Sequence, residues 1–363
     1  MSDGERSKVT QIEKETPDVN FRARRTDGIR SRLRRLAGRG LRRSPQPVQK
    51  VLRRGSARVL SALGTPVADP VSSSAVWASP PVPTPDGLSL ADVEAAFRSW
   101  SVNGEPVGHL DGYVDDSILR FLHTWGVVRD DVGRCLELGA NPYFTTHLLD
   151  QHTDLELTLA NYYDHSGETT ETVSFAPPGT DRRVEVSHRC RLFNVEEEEF
   201  PFADDSFDVV LFCEMLEHML MNPLATLREI HRVLKPSGVL VLTTPNVARL
   251  DNVLSLVSGV NMYDPYSGYG PYGRHNREYT RHELQRLLEF AGFDVERSFT
   301  ADGHQSTAAG RPFYVEVAPL VGSRLDDLGH YLIFRARATR PPREGLPSFL
   351  YRSWPEGVIV DYA

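Results

Sequence analysis

The sequence predicts an α/β fold whose mostly parallel, doubly wound sheet carries helices on both faces. Three observations predict it. Arg134-Cys-Leu-Glu-Leu-Gly-Ala-Asn-Pro-Tyr-Phe144 reads as a short buried strand running into a turn that opens a helix. Phe207-Asp-Val-Val-Leu-Phe-Cys213 is a continuous apolar run of the kind buried on both faces of a parallel sheet. Strand and helix patterns then alternate, and right-handed crossovers turn such an alternation into a parallel sheet.

The elements follow in order. Residues 1–86 pass from Arg-rich to Pro/Ser/Ala-rich and read as a largely disordered tail. Within it, Ile29, Leu33 and Leu36 among arginines, continued by Val48 to Leu63, fit a basic helix on an anionic membrane surface. A solvated tail with transient helix fits equally well. Residues 87–130 read as a helical cover: Ser89 caps a helix carrying Val93, Ala96, Phe97 and Trp100, and a second helix runs from about Asp115 to a stop at Gly126.

The principal domain, 131–340, opens with the strand and turn above, and Leu155 to Asn161 alternates as its second strand. Glu171 to Phe175 and Arg183 to Asn194 are strand-like around a Pro/Gly turn, where this fold would ordinarily place a helix. Asn222 to Lys235 is a capped helix with Pro223 at its first position, a Leu224, Leu227, Ile230 and Leu234 stripe, and Lys235 facing its negative end. Val239 to Thr243 is another buried strand, and Val247 to Val260 a further helix. Residues 261–280, rich in Tyr and Gly, read as a substrate-binding lid. Thr280-Arg-His-Glu283 is a capping box for the helix that Gly292 ends. Phe293 to Phe299 and His330 to Arg337 complete the sheet as an edge hairpin, and 341–363 is an irregular extension.

Composition narrows the function. The net charge of −8 hides a split: Met1 to Arg58 carry 17 Lys/Arg against 6 Asp/Glu, a net +11, which leaves −19 for the remainder. An acidic body argues against nucleic acid as the principal partner. Cys135, Cys190 and Cys213 are far apart in apolar or strand-like runs, the pattern of buried thiols in a reducing cytosol. No apolar run approaches ~18 residues, and the first residues lack a signal-peptide core. The expectation is a cytoplasmic protein whose basic tail supplies any membrane contact. Ligands of doubly wound sheets sit beyond the carboxyl ends of the strands, where Gly139, Asn161, Asn194, Cys213 and Thr244 fall.

Leu136-Glu-Leu-Gly139, Glu199 to Leu211, Glu214-Met-Leu-Glu-His218, Leu227 to Leu240 and Thr243-Thr-Pro-Asn246 together resemble the class I S-adenosylmethionine-dependent methyltransferases, particularly the bacterial small-molecule and glycan-modifying branch. The resemblance covers about Gly133 to Phe293 and implies a Rossmann-like, seven-stranded sheet with S-adenosylmethionine as cofactor. It implies that Glu137 and Gly139 meet the methionine part of the cofactor, with Asn141 in the same loop. By the same correspondence Asn161, or Asp164 beyond it, meets the ribose; Asn194 and Val195 meet the adenine; and Phe212, Cys213 and Glu214 flank the methionine. The sequence departs from the family at Asn141 and Tyr143, which replace glycines, and at Asn161, which replaces an acid. Asn141-Pro-Tyr-Phe144 matches the tetrapeptide of nucleic-acid amino methyltransferases only by coincidence, because that motif belongs after the fourth strand.

Methyl transfer from a sulfonium is an in-line displacement that alignment accelerates, and a hydroxyl acceptor must also lose its proton. His218 and His275 are the candidate bases. Tyr269, Tyr272, Arg274 and Tyr279 are the candidate substrate contacts. No metal site is expected, although Glu214 and His218 have i, i+4 spacing. His231 reads as a satisfied surface residue, and Glu196 to Glu199 as a solvated charge run. The reading is O-methylation of a sugar, glycan or other small-molecule hydroxyl. The alternatives are a silent methyltransferase-fold scaffold, or methylation of a lipid, quinone or secondary metabolite.

Overall fold

The computed structural model describes residues 79–106, 111–180, 182–268, 270–304, 313–317 and 319–362. The basic helix expected within 29–63 lies outside these residues.

Helix α1 (Leu90–Arg98) begins at Ser89, whose side chain accepts from the Asp92 N–H while Asp92 returns the bond, a complete capping box. Two short strands follow, β1 (Ser101–Val102) and β2 (Glu105–Pro106). Helix α2 (Asp111–Val128) runs through Gly126 rather than stopping there. A Cβ at Gly126 would lie 2.4 Å from Pro83 Cγ, so this glycine admits a close chain approach instead of ending the helix.

The principal domain comprises β3 (Val132–Leu138), α3 (Phe144–His152), β4 (Asp154–Asn161), β5 (Gly167–Phe175), β6 (Val184–Leu192) and β7 (Phe207–Cys213). It continues with α4 (Pro223–Val233), β8 (Leu234–Pro245), α5 (Leu250–Val257), α6 (Arg281–Phe290), β9 (Phe293–Ala301), α7 (Tyr314–Val317) and β10 (Tyr331–Ala338). The strand order is β2-β1-β5-β6-β4-β3-β7-β8-β10-β9. Strands β6, β4, β3, β7 and β8 are parallel, and β10 and β9 finish that edge in antiparallel pairing.

The expected seven strands are present as β6 to β9 of this order, but the sheet has ten. The excess arises where helical periodicity was missing: β5 folds back antiparallel on β6 and extends the edge, and β1 and β2 add to it.

Side-chain alternation divides the core into two layers. Leu136, Leu138, Val210, Phe212, Leu240 and Leu242 pack with Leu227 and Ile230 of α4 and Leu284, Leu287 and Leu288 of α6. Cys135, Val209, Leu211, Val239 and Val241 pack with Phe97, Phe121, Leu122 and Phe144 of α1, α2 and α3. All three thiols are free; Cys135 and Cys190 are buried and Cys213 half-buried.

Local expectations change where tertiary partners compete. Helix α4 ends at Val233, so Lys235 serves no helix terminus and instead pairs with Asp208 at 2.8 Å. Helix α5 is shorter than the run 247–260. Thr280 caps α6, but Glu283 goes to Arg277 rather than back to the cap, leaving half a capping box. The extension is not irregular throughout. Leu346–Pro347 (β11) and Ile359–Val360 (β12) pair in parallel, and buried Tyr351 accepts from the Leu224 N–H and donates to Asn222 at the start of α4. No helix among the described residues is long and apolar enough to cross a membrane.

One buried group gives the fold an acid limit. His123 of α2 lies edge-on to Phe299, and its Nε2 has no hydrogen-bond partner among the described residues. Burial, helped by the Arg297 charge, pushes its pKa down from 6.5 to about 4. The fold therefore holds this ring neutral. Its contribution is fully present above pH 6.5 and is lost as pH falls towards 4, by about 2 kcal/mol between pH 7.5 and 5. Urea midpoints at the two pH values should show this loss, and His123→Leu should reduce it.

Candidate active site

The tips of β3, β4, β6 and β7 open onto one crevice of about 430 Å³. Gly139 and Asn141 follow β3, Asn161 to Tyr163 end and follow β4, and Phe193 to Glu196 follow β6. Cys213, Glu214 and Met215 end and follow β7; His218, Met219, Tyr272 and Tyr113 complete the wall. Thr244, also expected at the crevice, is buried behind it and donates to Glu217. Gly139 has φ +71°, and a Cβ there would meet the Met215 sulfur at 2.8 Å, so the turn needs glycine for its conformation and for space.

Asn141 lines the crevice and Tyr143 does not. Tyr143 turns its ring behind the loop, stacks on His188 and donates its hydroxyl hydrogen to Glu171. The slot is therefore open despite a bulky residue where the family has glycine. Asn161 ties this arrangement to the loop: its Oδ1 accepts from the Asn141 N–H and its Nδ2 donates to the Tyr143 hydroxyl, both at 3.0 Å. The cover also braces the loop, as Trp100 Nε1 donates to the Pro142 carbonyl at 2.9 Å. Asp164 is exposed at φ +59° and is not among the lining residues.

Glu137 is buried and faces α3, where Thr146 donates to it at 2.7 Å, so it lies behind the loop rather than on the crevice wall. Burial pushes its pKa up to about 8. Asn194 and Val195 line the far end; Asn194 Oδ1 accepts from the Glu196 N–H and its Nδ2 donates to Tyr272. The acidic run is more than a solvated face. The Glu196 carboxylate accepts from the N–H groups of Leu220, Met221 and Asn222, while Glu198 accepts from Asn194 and Ser166. Burial raises the Cys213 thiol to about 12 and leaves it protonated at neutral pH.

Glu214 departs from the helical i, i+4 geometry that its spacing with His218 suggested. It sits at φ +54° after β7, accepts from Thr243 at 2.8 Å and faces Arg120 at 3.7 Å. Arg120, 3 % exposed at its side chain, lies over the Phe121 and Tyr331 rings and donates to Tyr113. Sequence reasoning missed this residue. The available signal was an arginine in the Tyr113, Ser117 and Thr124 row of the helix, between the apolar residues Ile118, Leu119, Phe121 and Leu122.

The two candidate bases meet. His218, in the 3-10 turn Leu216–His218, lies with its ring centroid 5.1 Å from that of His275. His218 Nδ1 contacts the Arg274 carbonyl at 2.9 Å and His275 Nδ1 contacts Glu278 at 3.0 Å. Burial and the neighbouring His275 lower the His218 pKa; for His275 burial opposes protonation, but Glu278, Glu217 and Asp264 raise its pKa overall. Glu217, also missed, is buried beneath the pair with its pKa pushed up to about 8 by burial and Glu214.

The expected substrate contacts separate. Tyr272 reaches the crevice, where its hydroxyl donates to Glu196. Arg274 stays outside the lining and stacks on Tyr266, which is 92 % exposed. Tyr279 is 1 % exposed within the core beside α6, so it cannot meet a substrate. Its place follows from an isolated bridge with Asn246, which draws the end of the 261–280 segment into the body. Tyr269 lies outside the described residues. His231, expected as a satisfied surface residue, is half-buried and edge-on to Phe293, and its Nε2 has no hydrogen-bond partner among the described residues.

Residues 107–298 match a family model described as a methyltransferase domain. Over 98 residues the chain is 36 % identical to a Mycolicibacterium smegmatis protein named as a probable S-adenosylmethionine-dependent methyltransferase. That match covers 27 % of this chain and 33 % of the relative. Similar solved structures include a SAM-dependent methyltransferase from Archaeoglobus fulgidus, with 14 % identity, 60 % and 90 % coverage of this and that chain, and TM-score 0.39. Another is a Burkholderia thailandensis 1,6-didemethyltoxoflavin-N1-methyltransferase with S-adenosylhomocysteine, with 19 % identity, 64 % and 82 % coverage, and TM-score 0.36.

Proposed function

Because the chain belongs to the methyltransferase-domain family, we propose that it transfers a methyl group from S-adenosylmethionine to a hydroxyl of a sugar, glycan or comparable small molecule. The observation that carries this reading is the crevice at four strand tips with His218 on its wall and the His275 ring 5.1 Å from it. Gly139, Asn141, Asn161, Asn194 and Val195 line the part assigned to the cofactor, and the bracing of the Asn141 loop holds that part in shape. Tyr113, Tyr162, Tyr163 and Tyr272 give the wall flat faces with polar tips, which suits a hydroxylated acceptor better than a lipid.

The chemistry requires the acceptor oxygen in line with the transferred carbon and a place for the hydroxyl proton. A lowered pKa keeps His218 neutral at pH 7, and Nδ1 held by the Arg274 carbonyl leaves Nε2 to accept. Calorimetric titration with S-adenosylmethionine should give one site per chain; no heat at millimolar cofactor would overturn the assignment. His218→Ala should retain that binding and reduce transfer of labelled methyl to a fractionated extract by about 10²- to 10⁴-fold.

A further inference from the structure

We infer that Glu217, His218 and His275 form a site for one divalent first-row transition ion. One ligand atom from each of the three lies within 4.8 Å of the others. Glu217 is fully buried; its Oε2 accepts from Thr244, but its Oε1 takes no hydrogen bond among the described residues and lies 3.8 Å from His218 Nε2. A buried carboxylate oxygen without a donor is costly unless something else satisfies it. The two imidazoles are already arranged as metal-bound histidines usually are. His218 Nδ1 is held by a backbone carbonyl and His275 Nδ1 by the Glu278 carboxylate, and His218 Nε2 faces Glu217 Oε1 at 3.8 Å. Glu278 is itself held by Arg249, and Asn276 spans the two segments by donating to the His218 carbonyl, so the ligands are fixed from behind.

Two imidazoles and one carboxylate suit zinc, cobalt, iron or manganese more than magnesium or calcium. Three protein ligands also leave coordination positions open, as in catalytic sites. His218 borders the crevice, whereas His275 borders two hollows beside it, so an ion between them stands at the inner wall of the acceptor space. With an ion bound, the metal would lower the pKa of a coordinated hydroxyl and so take over from His218 Nε2 the task of easing the proton's loss, which His218→Ala would impair in either case. That catalytic role rests on the methyl-transfer reading above; the ion site does not.

The test uses the tag-free full chain stripped with chelator and titrated with Co²⁺, then Zn²⁺ in competition. One equivalent of Co²⁺ should produce visible d–d absorption that one equivalent of Zn²⁺ abolishes and millimolar Mg²⁺ leaves. Glu217→Gln, nearly isosteric, should remove the absorption. Glu278→Gln, which loosens the hold behind His275 together with the pair to Arg249 and touches no ligand atom, should weaken binding by about 10- to 100-fold. His165→Ala, an exposed histidine elsewhere, should change nothing. Absence of stoichiometric absorption, or absorption unaffected by Glu217→Gln, would overturn the site. Calorimetry with S-adenosylmethionine on the same metal-free protein separates that failure from failure of the cofactor assignment.

Discussion

Arg120→Met should lower the free energy of unfolding by roughly 3–5 kcal/mol, because it removes one partner of a buried ion pair and leaves the other uncompensated. The side chains of Arg120 and Glu214 are 3 % and 16 % exposed, and their charged groups approach to 3.7 Å. Burial raises the Glu214 pKa, and Arg120 is the leading group that opposes the rise. Methionine retains much of the packing against Phe121 and Tyr331 but leaves the half-buried carboxylate with the Thr243 hydroxyl and without its guanidinium partner. The deficit should therefore shrink as pH falls and Glu214 takes a proton. Adding Glu214→Gln should recover most of the loss, because an uncharged amide needs no counterion. Urea denaturation of the four proteins in this cycle measures the coupling. Additive losses would show that the arginine acts through packing alone.

Asn161→Asp should weaken S-adenosylmethionine binding by about 10- to 100-fold, although it supplies the acid that the sequence resemblance leads one to expect there. The reason lies behind the loop. Asn161 must both accept from the Asn141 N–H and donate to the Tyr143 hydroxyl, whose own hydrogen is committed to Glu171. Aspartate can only accept, so two carboxylates would compete for one phenolic hydrogen in a buried site. Losing a donor there costs about 1–3 kcal/mol, and the loop that lines the crevice bears the consequence. Glu171→Gln in the same chain returns a donor to the network and should recover most of the affinity. Calorimetric dissociation constants for the wild-type, single and double variants test this; an Asn161→Asp protein that binds as well as wild type would sink the explanation.

These two cases also mark how far the site was legible in the sequence. The strand tips were legible because each is the end of an apolar run followed by Gly139, Asn161, Asn194 or Glu214. The place of Asn161 on the crevice was legible, but its role in bracing Tyr143 was not, because Glu171 and Cys190 approach Tyr143 from strands 28 and 47 residues away. The hairpin of β5 and β6 was visible as strand-like sequence. That it would lengthen the sheet to ten strands, with β1 and β2 beyond it, depended on pairing across some seventy residues.

The sequence by itself determined the order of strands, turns and helices from 131 to 300, the glycine turn at Gly139 and the caps at Ser89, Asn222 and Thr280. Those features are set by residues three or four apart and by the period of apolar side chains, which a linear chain displays directly. Tertiary structure decided which side chains share a space. It brought His275 to His218 and Glu217, set Arg120 against Glu214, turned Tyr143 out of the crevice and sank Tyr279 into the core. The physical reason is that burial and charge pairing depend on distances in space between distant segments, and local periodicity fixes only the direction in which each side chain leaves its own strand or helix.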